Sequence, residues 1–460
     1  MGVPYKPTSH EGLFHDRIDS FGFDWEKVGN PDVAPRYPYK IYVPRTVDEL
    51  VRAVKESKQL GETLVVRSKG HSSNDLVFNE HGAVLYTAGL NKIVSLDESK
   101  LEATVEAGIV SADLDEILSK KGLGLPVIGD HDDITVGGFA SVGGIGPASF
   151  RHGMFVDTVV AADIVTWDGE LVHYSREKDL PKLNAVLCGL GRAGIFARLT
   201  VKVIRVEKHT TLLENTRHNY VSYASFLEES TKIMSNPGKA YMIRGMWVDA
   251  AEQGKPGVTF GEMMVYHLTE TNAWKRFVDQ SKYGYLYGLG KYQGTLPGPA
   301  DMASKLMGLA GILVAPKYAS IKHVEFFTDK ILDSSVGDPV RWFMYLVPMD
   351  RYASLAAETY ELARSYRDKH KCFTAITQPV KALRSAYLSP DNPDKLFCEL
   401  NFSLAVKPAL FTRELADKFV KTLDDLAVKY NAYRYMHTRT GKDPELLNKI
   451  DPAARWNPYV

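Results

Sequence analysis

Thr63-Leu64-Val65-Val66-Arg67-Ser68-Lys69-Gly70-His71-Ser72-Ser73-Asn74-Asp75 runs from an apolar, β-branched stretch straight into a turn of small and polar residues. The first five residues predict a buried strand. In the turn, small side chains let backbone N–H groups converge on one concavity, a nest that suits a pyrophosphate. A plain surface loop has the same composition, so the reading depends on what surrounds it.

Outward along the chain, Ile134-Thr135-Val136-Gly137-Gly138-Phe139-Ala140-Ser141-Val142-Gly143-Gly144-Ile145-Gly146 carries five glycines between Gly137 and Gly146. Such a run predicts neither a good helix nor a good strand. It suits a place where a flat or charged ligand approaches the backbone closely. A third segment, Gly189-Leu190-Gly191-Arg192-Ala193-Gly194, matches the dinucleotide fingerprint GxGxxG. That fingerprint needs a strand before it and a helix after it. Here a helical pattern (Leu183, Val186, Leu187) precedes it and an alternating strand pattern from Ile195 follows. The segment therefore predicts a tight helix-to-strand turn and no nicotinamide site.

The first 206 residues read as strands alternating with helices. Ile41–Val43 predicts a short strand, and Thr46 with Glu49 predicts a capping box opening a helix. Leu101, Ala103, Val105 and Ala107 alternate like a half-buried strand, and Ser111 is placed to cap a helix ending at Gly122. The second part differs. Long strands are predicted at Tyr241–Val248, Val258–His267, Val340–Met349 and Phe397–Val406. Helices are predicted at Tyr223–Met234, Ile321–Leu332, Tyr352–Tyr366 and Thr412–Tyr430, and a long loop at Tyr283–Pro299. Long strands joined by amphipathic helices predict an antiparallel sheet covered on one face, an α+β arrangement.

Composition sets the outer bounds. With 460 residues and 45% hydrophobic content, the chain is long enough for two domains with real cores. Lys+Arg and Asp+Glu are both 56, so no basic excess points to nucleic acid as a partner. Cys188, Cys372 and Cys398 stand far apart with no CxxC pair, which argues against a structural zinc site and a disulfide framework. MGVPYKPTSHEGLF has no apolar signal-peptide core, and no run of apolar residues is long enough for a membrane span, so a cytoplasmic location is expected.

From about Pro38 to Val206 the chain resembles the FAD-binding (PCMH-type) domain of the vanillyl-alcohol oxidase flavoprotein superfamily, and within it the cytokinin dehydrogenases. The motifs are Gly70-His71-Ser72, Asp130, Thr135-Val136-Gly137-Gly138, Ala140-Ser141-Val142-Gly143-Gly144-Ile145, Phe150-Arg151-His152-Gly153 and Ala185-Val186-Leu187-Cys188-Gly189-Leu190-Gly191. Val142 stands where the family has asparagine, and Tyr435-Met436-His437 is similar to the family's C-terminal Y-L-P-H. The run Asp132 to Gly138 is also similar to Δ24-sterol reductases of the same superfamily.

The resemblance implies an FAD-binding domain (1–206), a substrate-binding cap domain with an antiparallel sheet (207–430) and a C-terminal return (431–460). It implies FAD as cofactor, bound through Arg67, Ser68, Lys69, Gly70, His71, Ser72, Asp75, Asp130, Thr135, Gly137, Gly138, Ser141, Ile145, Ile195 and Tyr435. It further implies a covalent 8α-histidyl link through His71. No cysteine occurs between Leu125 and Gly138, so a single link is expected. Asp130 is implied as the base that accepts a substrate proton; Asp132 and Asp133 are its rivals. Glu399 and Asn401 share one face of a predicted strand and are the expected polar contacts to substrate. The predicted activity is oxidation of a small organic amine or alcohol by hydride transfer to flavin N5, with dioxygen or another acceptor re-oxidising the cofactor. The alternatives are an FAD-dependent C=C reductase, a sugar or aldonolactone oxidase, whose C-terminal H-W-A-K is absent here, and a non-catalytic flavin-binding partner protein.

Overall fold

The computed structural model describes residues 2–4, 21–22, 24, 35–72, 76–129, 134–250, 259–292, 316–325, 340–381, 395–407, 409–435 and 444–451. It has an α+β fold of two domains built on three main sheets.

The chain opens with β1 (Gly2–Pro4), β2 (Lys40–Tyr42), helix α1 (Val47–Gln59), β3 (Leu64–Arg67) and β4 (Ala83–Tyr86). They form a sheet in the order β1-β2-β4-β3, with β2, β4 and β3 parallel. The connection from β2 to β3 is made by α1, as a parallel pair requires. Thr46 Oγ1 accepts from the Glu49 N–H at 3.2 Å, as expected. Glu49 Oε2, however, takes the Arg45 N–H at 2.8 Å, so the reciprocal half of the predicted box is made one residue earlier. The helix buries Val47, Leu50, Ala53 and Val54 against Tyr42, Ala83 and Leu85. Leu50 is fully enclosed, so Leu50→Ala would cost about 2–5 kcal/mol. The strand β3 is only half-buried before Arg67.

Next come β5 (Ile93–Asp97), β6 (Glu102–Glu106), α2 (Ser111–Ser119), β7 (Leu123–Gly124), α3 (Val136–Val142), α4 (Ser149–His152), α5 (Phe155–Thr158), β8 (Val159–Val165), β9 (Leu171–Ser175), α6 (Leu180–Val186) and β10 (Ile195–Lys202). The order β5-β6-β10-β8-β9 is antiparallel throughout. Two local expectations change. Ser111 is the first helical residue of α2 and Val110 its cap. The glycine run does begin as a helix, α3. Thr135 Oγ1 caps it, and Gly137 is there because a Cβ would lie 2.8 Å from Ala107 Cβ and 2.9 Å from its carbonyl oxygen. Close packing, not helix propensity, decides that position.

After β11 (Ile204–Arg205), which pairs with β7, the chain builds the second domain from β12 (Leu212–Tyr220), α7 (Tyr223–Ser235), β13 (Met242–Asp249), β14 (Thr259–Leu268), β15 (Tyr318–Ser320), β16 (Val340–Pro348), β17 (His370–Lys381), β18 (Leu396–Val406) and β19 (Tyr433–Arg434). They form one antiparallel sheet, β15-β12-β14-β13-β17-β18-β16-β19. Its apolar face, with Trp247, Phe343, Phe373 and Phe402, packs on α7 and on the helices Tyr352–Ser365 and Arg413–Lys429. Strands β12 and β17 were not legible in the sequence. In β17 the obstacle is Pro379, which cannot donate to a ladder. It is tolerated because pairing with β13 ends at Thr377, before the proline. Residues Ala273–Tyr292 form a helix, which overturns the predicted loop from Tyr283; the rest of that loop lies outside the described residues. The predicted helix from Ile321 is described only as far as Glu325.

The domains are joined by a buried ion cluster. Lys208 Nζ lies 2.8 Å from Glu325 Oε1 and 3.1 Å from Asp115 Oδ1, joining α2 to the helix Ile321–Glu325. Asp115 Oδ1 also accepts the Leu125 N–H at 2.8 Å. The two carboxylates hold the Lys208 ammonium above its usual pKa. Burial outweighs the attraction of Lys208 for Glu325 and raises that carboxyl to about 7.

Candidate functional site

A large cavity opens where the turn after β3, the start of α3 and the loop Leu190–Gly194 meet the polar face of the eight-stranded sheet. Its first-domain wall contains Ser68, Lys69, Gly70, His71, Ser72, Thr135, Gly137, Gly138, Ser141, Ile145 and Ile195. Its second-domain wall contains Trp342, Met344, Ile376, Gln378, Glu399 and Asn401, with Tyr435 beside them. Fourteen of the sequence-expected residues are thereby brought together, although Tyr435 and Ile195 are 240 positions apart in the chain.

Three do not appear on this wall. Arg67 lies beneath it, 1% exposed, with its guanidinium 4.9 Å from the Phe21 ring centroid. It supports the turn from below: Gly70 has φ +79°, and a Cβ there would lie 2.5 Å from an Arg67 nitrogen. Arg67 is therefore a support for the turn, not a cavity residue. Asp75 and Asp130, with the rivals Asp132 and Asp133, lie outside the described residues; Gly129 does line the cavity.

The second-domain wall follows from strand alternation. On β17 and β18, Gln378 stands directly opposite Glu399, and Ile376 opposite Asn401. Met344 of β16 faces Asn401 from the other side. These residues point away from the apolar core because Phe373, Ala375, Leu400 and Phe402 occupy the alternate positions. Among the aromatics on these strands, Trp342 reaches the cavity. Trp247 and Tyr345 belong to the helix-covered face, and Tyr266 packs with Ala148 and Ala319. Gln378 was missed because its strand was missed; the apolar alternation Phe373, Ala375 was the available signal.

Tyr435 is aimed by its neighbour. Arg434 is fully buried between Asp424 and Tyr345, with Nη1 2.6 Å from each. In an extended segment the next side chain points the opposite way, which sends Tyr435 to the cavity side. There its hydroxyl accepts the Gly144 N–H at 2.8 Å.

The predicted helix-to-strand turn is present: α6 ends at Val186 and β10 begins at Ile195. Trp167 Nε1 donates to the Gly191 carbonyl at 3.0 Å, and Arg192 pairs with Asp451 at 2.8 Å, so this edge of the cavity is held from both sides. His152 does not line the cavity. Burial, with Arg151 and Lys208 nearby, lowers it to about 4, so it is neutral near pH 7.

The cavity fits a large cofactor with a polar backbone and a flat ring. Ser68 Oγ is buried without a hydrogen-bond partner. Nothing lies within 4 Å of where a Cβ would stand on Gly191, so that edge is open for close approach. Lys69 supplies positive charge beside the turn. Across from these groups, Gln378 Oε1 and Asn401 Oδ1 are buried acceptors with no partner, suited to a ligand that donates.

Comparison with known proteins agrees with this site. Residues 38–175 match the model of an FAD binding domain. The D-arabinono-1,4-lactone oxidase of Kluyveromyces lactis is 32% identical over 171 residues, 36% of this chain and 32% of the relative. The L-gulonolactone oxidase of Mus musculus is 29% identical over 167 residues, 36% and 38% of the two chains. Cytokinin dehydrogenase 3 of Arabidopsis thaliana is 27% identical over 217 residues, 45% and 40%. The chain thus matches between about a third and two fifths of the length of these relatives. No described helix is long and apolar enough to cross a membrane. The turn at Gly70–Ser72, the helix start at Thr135–Gly138 and the matched region together assign the cofactor as FAD: residues 38–175 carry an FAD-binding domain, similar to that of the vanillyl-alcohol oxidase flavoproteins.

Proposed function

We propose that this protein is an FAD-dependent oxidoreductase that oxidises a small hydroxyl-bearing molecule, with a sugar lactone or polyol as the leading class. In this reading residues 1–206 hold FAD and 207–430 form the substrate cap; the expected C-terminal return (431–460) is corrected in part, because Tyr433–Arg434 adds a strand to the cap sheet while Tyr435 and Asp451 reach the FAD-binding domain. The observation that carries the reading is the polar wall facing the FAD-binding turn: Gln378, Glu399 and Asn401 together in one buried cavity. Buried polar atoms are costly unless hydrogen-bonded, and Gln378 Oε1 and Asn401 Oδ1 are left for a ligand to satisfy. The names of the lactone oxidases among the relatives support the same substrate class.

Bound FAD supplies a two-electron acceptor that takes hydride from the substrate carbon at N5, and dioxygen or another acceptor then removes the electrons. The protein's part is positioning and proton transfer. Removing hydride from a carbon that bears O–H builds positive charge, which loss of the hydroxyl proton relieves. A base is useful only within hydrogen-bond reach of that proton. Glu399 occupies the substrate side of the cavity and fits this role; Asp130, beyond Gly129, is the rival. Trp342, Met344 and Ile376 give the remainder of that wall an apolar surface that excludes water.

An amine substrate is the second reading; a carboxylate accepts an N–H proton equally well. The test is an anaerobic screen in which each compound is mixed with the oxidised protein and flavin bleaching is recorded. Xylitol, D-arabinono-1,4-lactone and related hydroxyl compounds should bleach the flavin. Bleaching by amines alone overturns the hydroxyl reading. Electron delivery only from NADPH favours the C=C reductase.

A further inference from the structure

Gln378 and Glu399 are directly opposed on neighbouring antiparallel strands, which places such side chains within contact. Both are buried, at 2% and 3% exposure, and both line the cavity. Gln378 Nε2 donates to Glu399 Oε2. With Nε2 as the donor, the amide turns its nitrogen toward Glu399 and its oxygen away. The oxygen so directed, Gln378 Oε1, is buried and has no hydrogen-bond partner. Its neighbours on the cavity wall include the apolar Ile376 and Met344.

We propose that Gln378 is a positioning and specificity-determining residue with two roles carried by one amide. Its nitrogen holds the Glu399 carboxylate in place for proton transfer. Its oxygen accepts a hydrogen bond from a second substrate hydroxyl, adjacent to the one being oxidised. This rests on the hydroxyl-substrate reading above and adds a requirement to it: the substrate presents neighbouring O–H donors. A compound with a hydroxyl but no neighbour leaves Oε1 buried and unpaired and is rejected for that reason. The Asn401 Oδ1 acceptor lies on the same wall, across from Ile376, and widens the same demand for donors.

The test uses FAD-loaded protein and equilibrium binding by calorimetry under anaerobic conditions, alongside the bleaching rate. The probes are xylitol and D-arabinono-1,4-lactone, which carry adjacent hydroxyls, against 1,5-pentanediol, which carries none. The variants are Gln378→Met, close to glutamine in shape, and Gln378→Leu, with melting temperature as the check on folding. Wild type should bind at least one adjacent-hydroxyl probe tighter than 1,5-pentanediol by about tenfold or more. Both variants should lose that preference. A residue that merely fills the wall would leave the preference intact in Gln378→Met. Reduction should slow in both variants, and combining either with Glu399→Gln should add little further loss, because the two side chains act as a unit. If wild type discriminates and bleaches but Gln378→Met discriminates equally, the Gln378 assignment is wrong and the proposed function stands. If wild type shows no preference and only amines bleach the flavin, both fall together.

Discussion

The backbone amide of Gly144 donates to the phenolic oxygen of Tyr435 at 2.8 Å, across 291 residues of chain. This single contact ties the glycine run of the FAD-binding domain to the last strand of the substrate-side sheet. Tyr435 is also held through its own amide, which donates to the Met344 carbonyl at 3.0 Å. Tyr435→Phe keeps the ring and leaves the Gly144 N–H buried without that acceptor. The expected cost is about 1–3 kcal/mol. Thermal melting of the FAD-loaded protein should show a lower transition and earlier flavin release. An unchanged melting curve would mean the contact contributes nothing.

The Lys208 cluster makes domain docking sensitive to pH. Two buried carboxylates, Asp115 and Glu325, share Lys208, with Lys322 as a further cation 3.8 Å from Asp115, and burial raises Glu325 to about 7. A carboxyl whose pKa is raised on folding binds its proton more tightly in the native state. Its contribution is therefore fully present below about pH 4.5 and is lost as pH rises through about 7. Glu325→Gln removes that dependence. Between about pH 5 and pH 8, wild type should lose melting temperature relative to Glu325→Gln. Parallel curves for the two proteins would show that Glu325 ionises normally.

His71 faces the cavity from the turn after β3, which suits the proposed covalent attachment. Such a link would join a ring nitrogen of His71 to the flavin 8α carbon in place of one N–H and one C–H, and the two electrons released would have to pass through the flavin to dioxygen. Acid precipitation of wild type should leave the yellow colour in the pellet, and His71→Ala should release it to the supernatant. Colour entirely in the wild-type supernatant would rule out the link while leaving FAD binding intact.

The two carboxylates proposed as proton acceptor are separated by rapid mixing. Glu399→Gln and Asp130→Asn each keep shape and remove basicity. The variant lacking the true base should reduce its flavin at least about 100-fold more slowly, with FAD content unchanged. A slow Asp130→Asn with a normal Glu399→Gln moves the base to the loop after Gly129. Two normal rates would place proton transfer elsewhere in the cavity.

What the sequence determined by itself was local. Apolar spacing at Val47, Leu50 and Val54 specifies a helix because one stripe must be buried, and the cap at Thr46 starts it. The cavity-lining turn was legible because Gly70, His71 and Ser72 closely follow a strand. The helix-to-strand order around Gly189–Gly194 was enough to predict a turn there. Tertiary structure decided the rest. A glycine-rich run opens as a short helix capped by Thr135, and Gly137 is needed there because Ala107 leaves no room for a side chain. Strand β17 formed through Pro379 because its neighbour β13 stops pairing before that residue. The second-domain wall of the cavity depends most on long-range register. Gln378 meets Glu399, and Tyr435 meets Gly144, only because strands distant in sequence align, and nothing local in either segment specifies its partner.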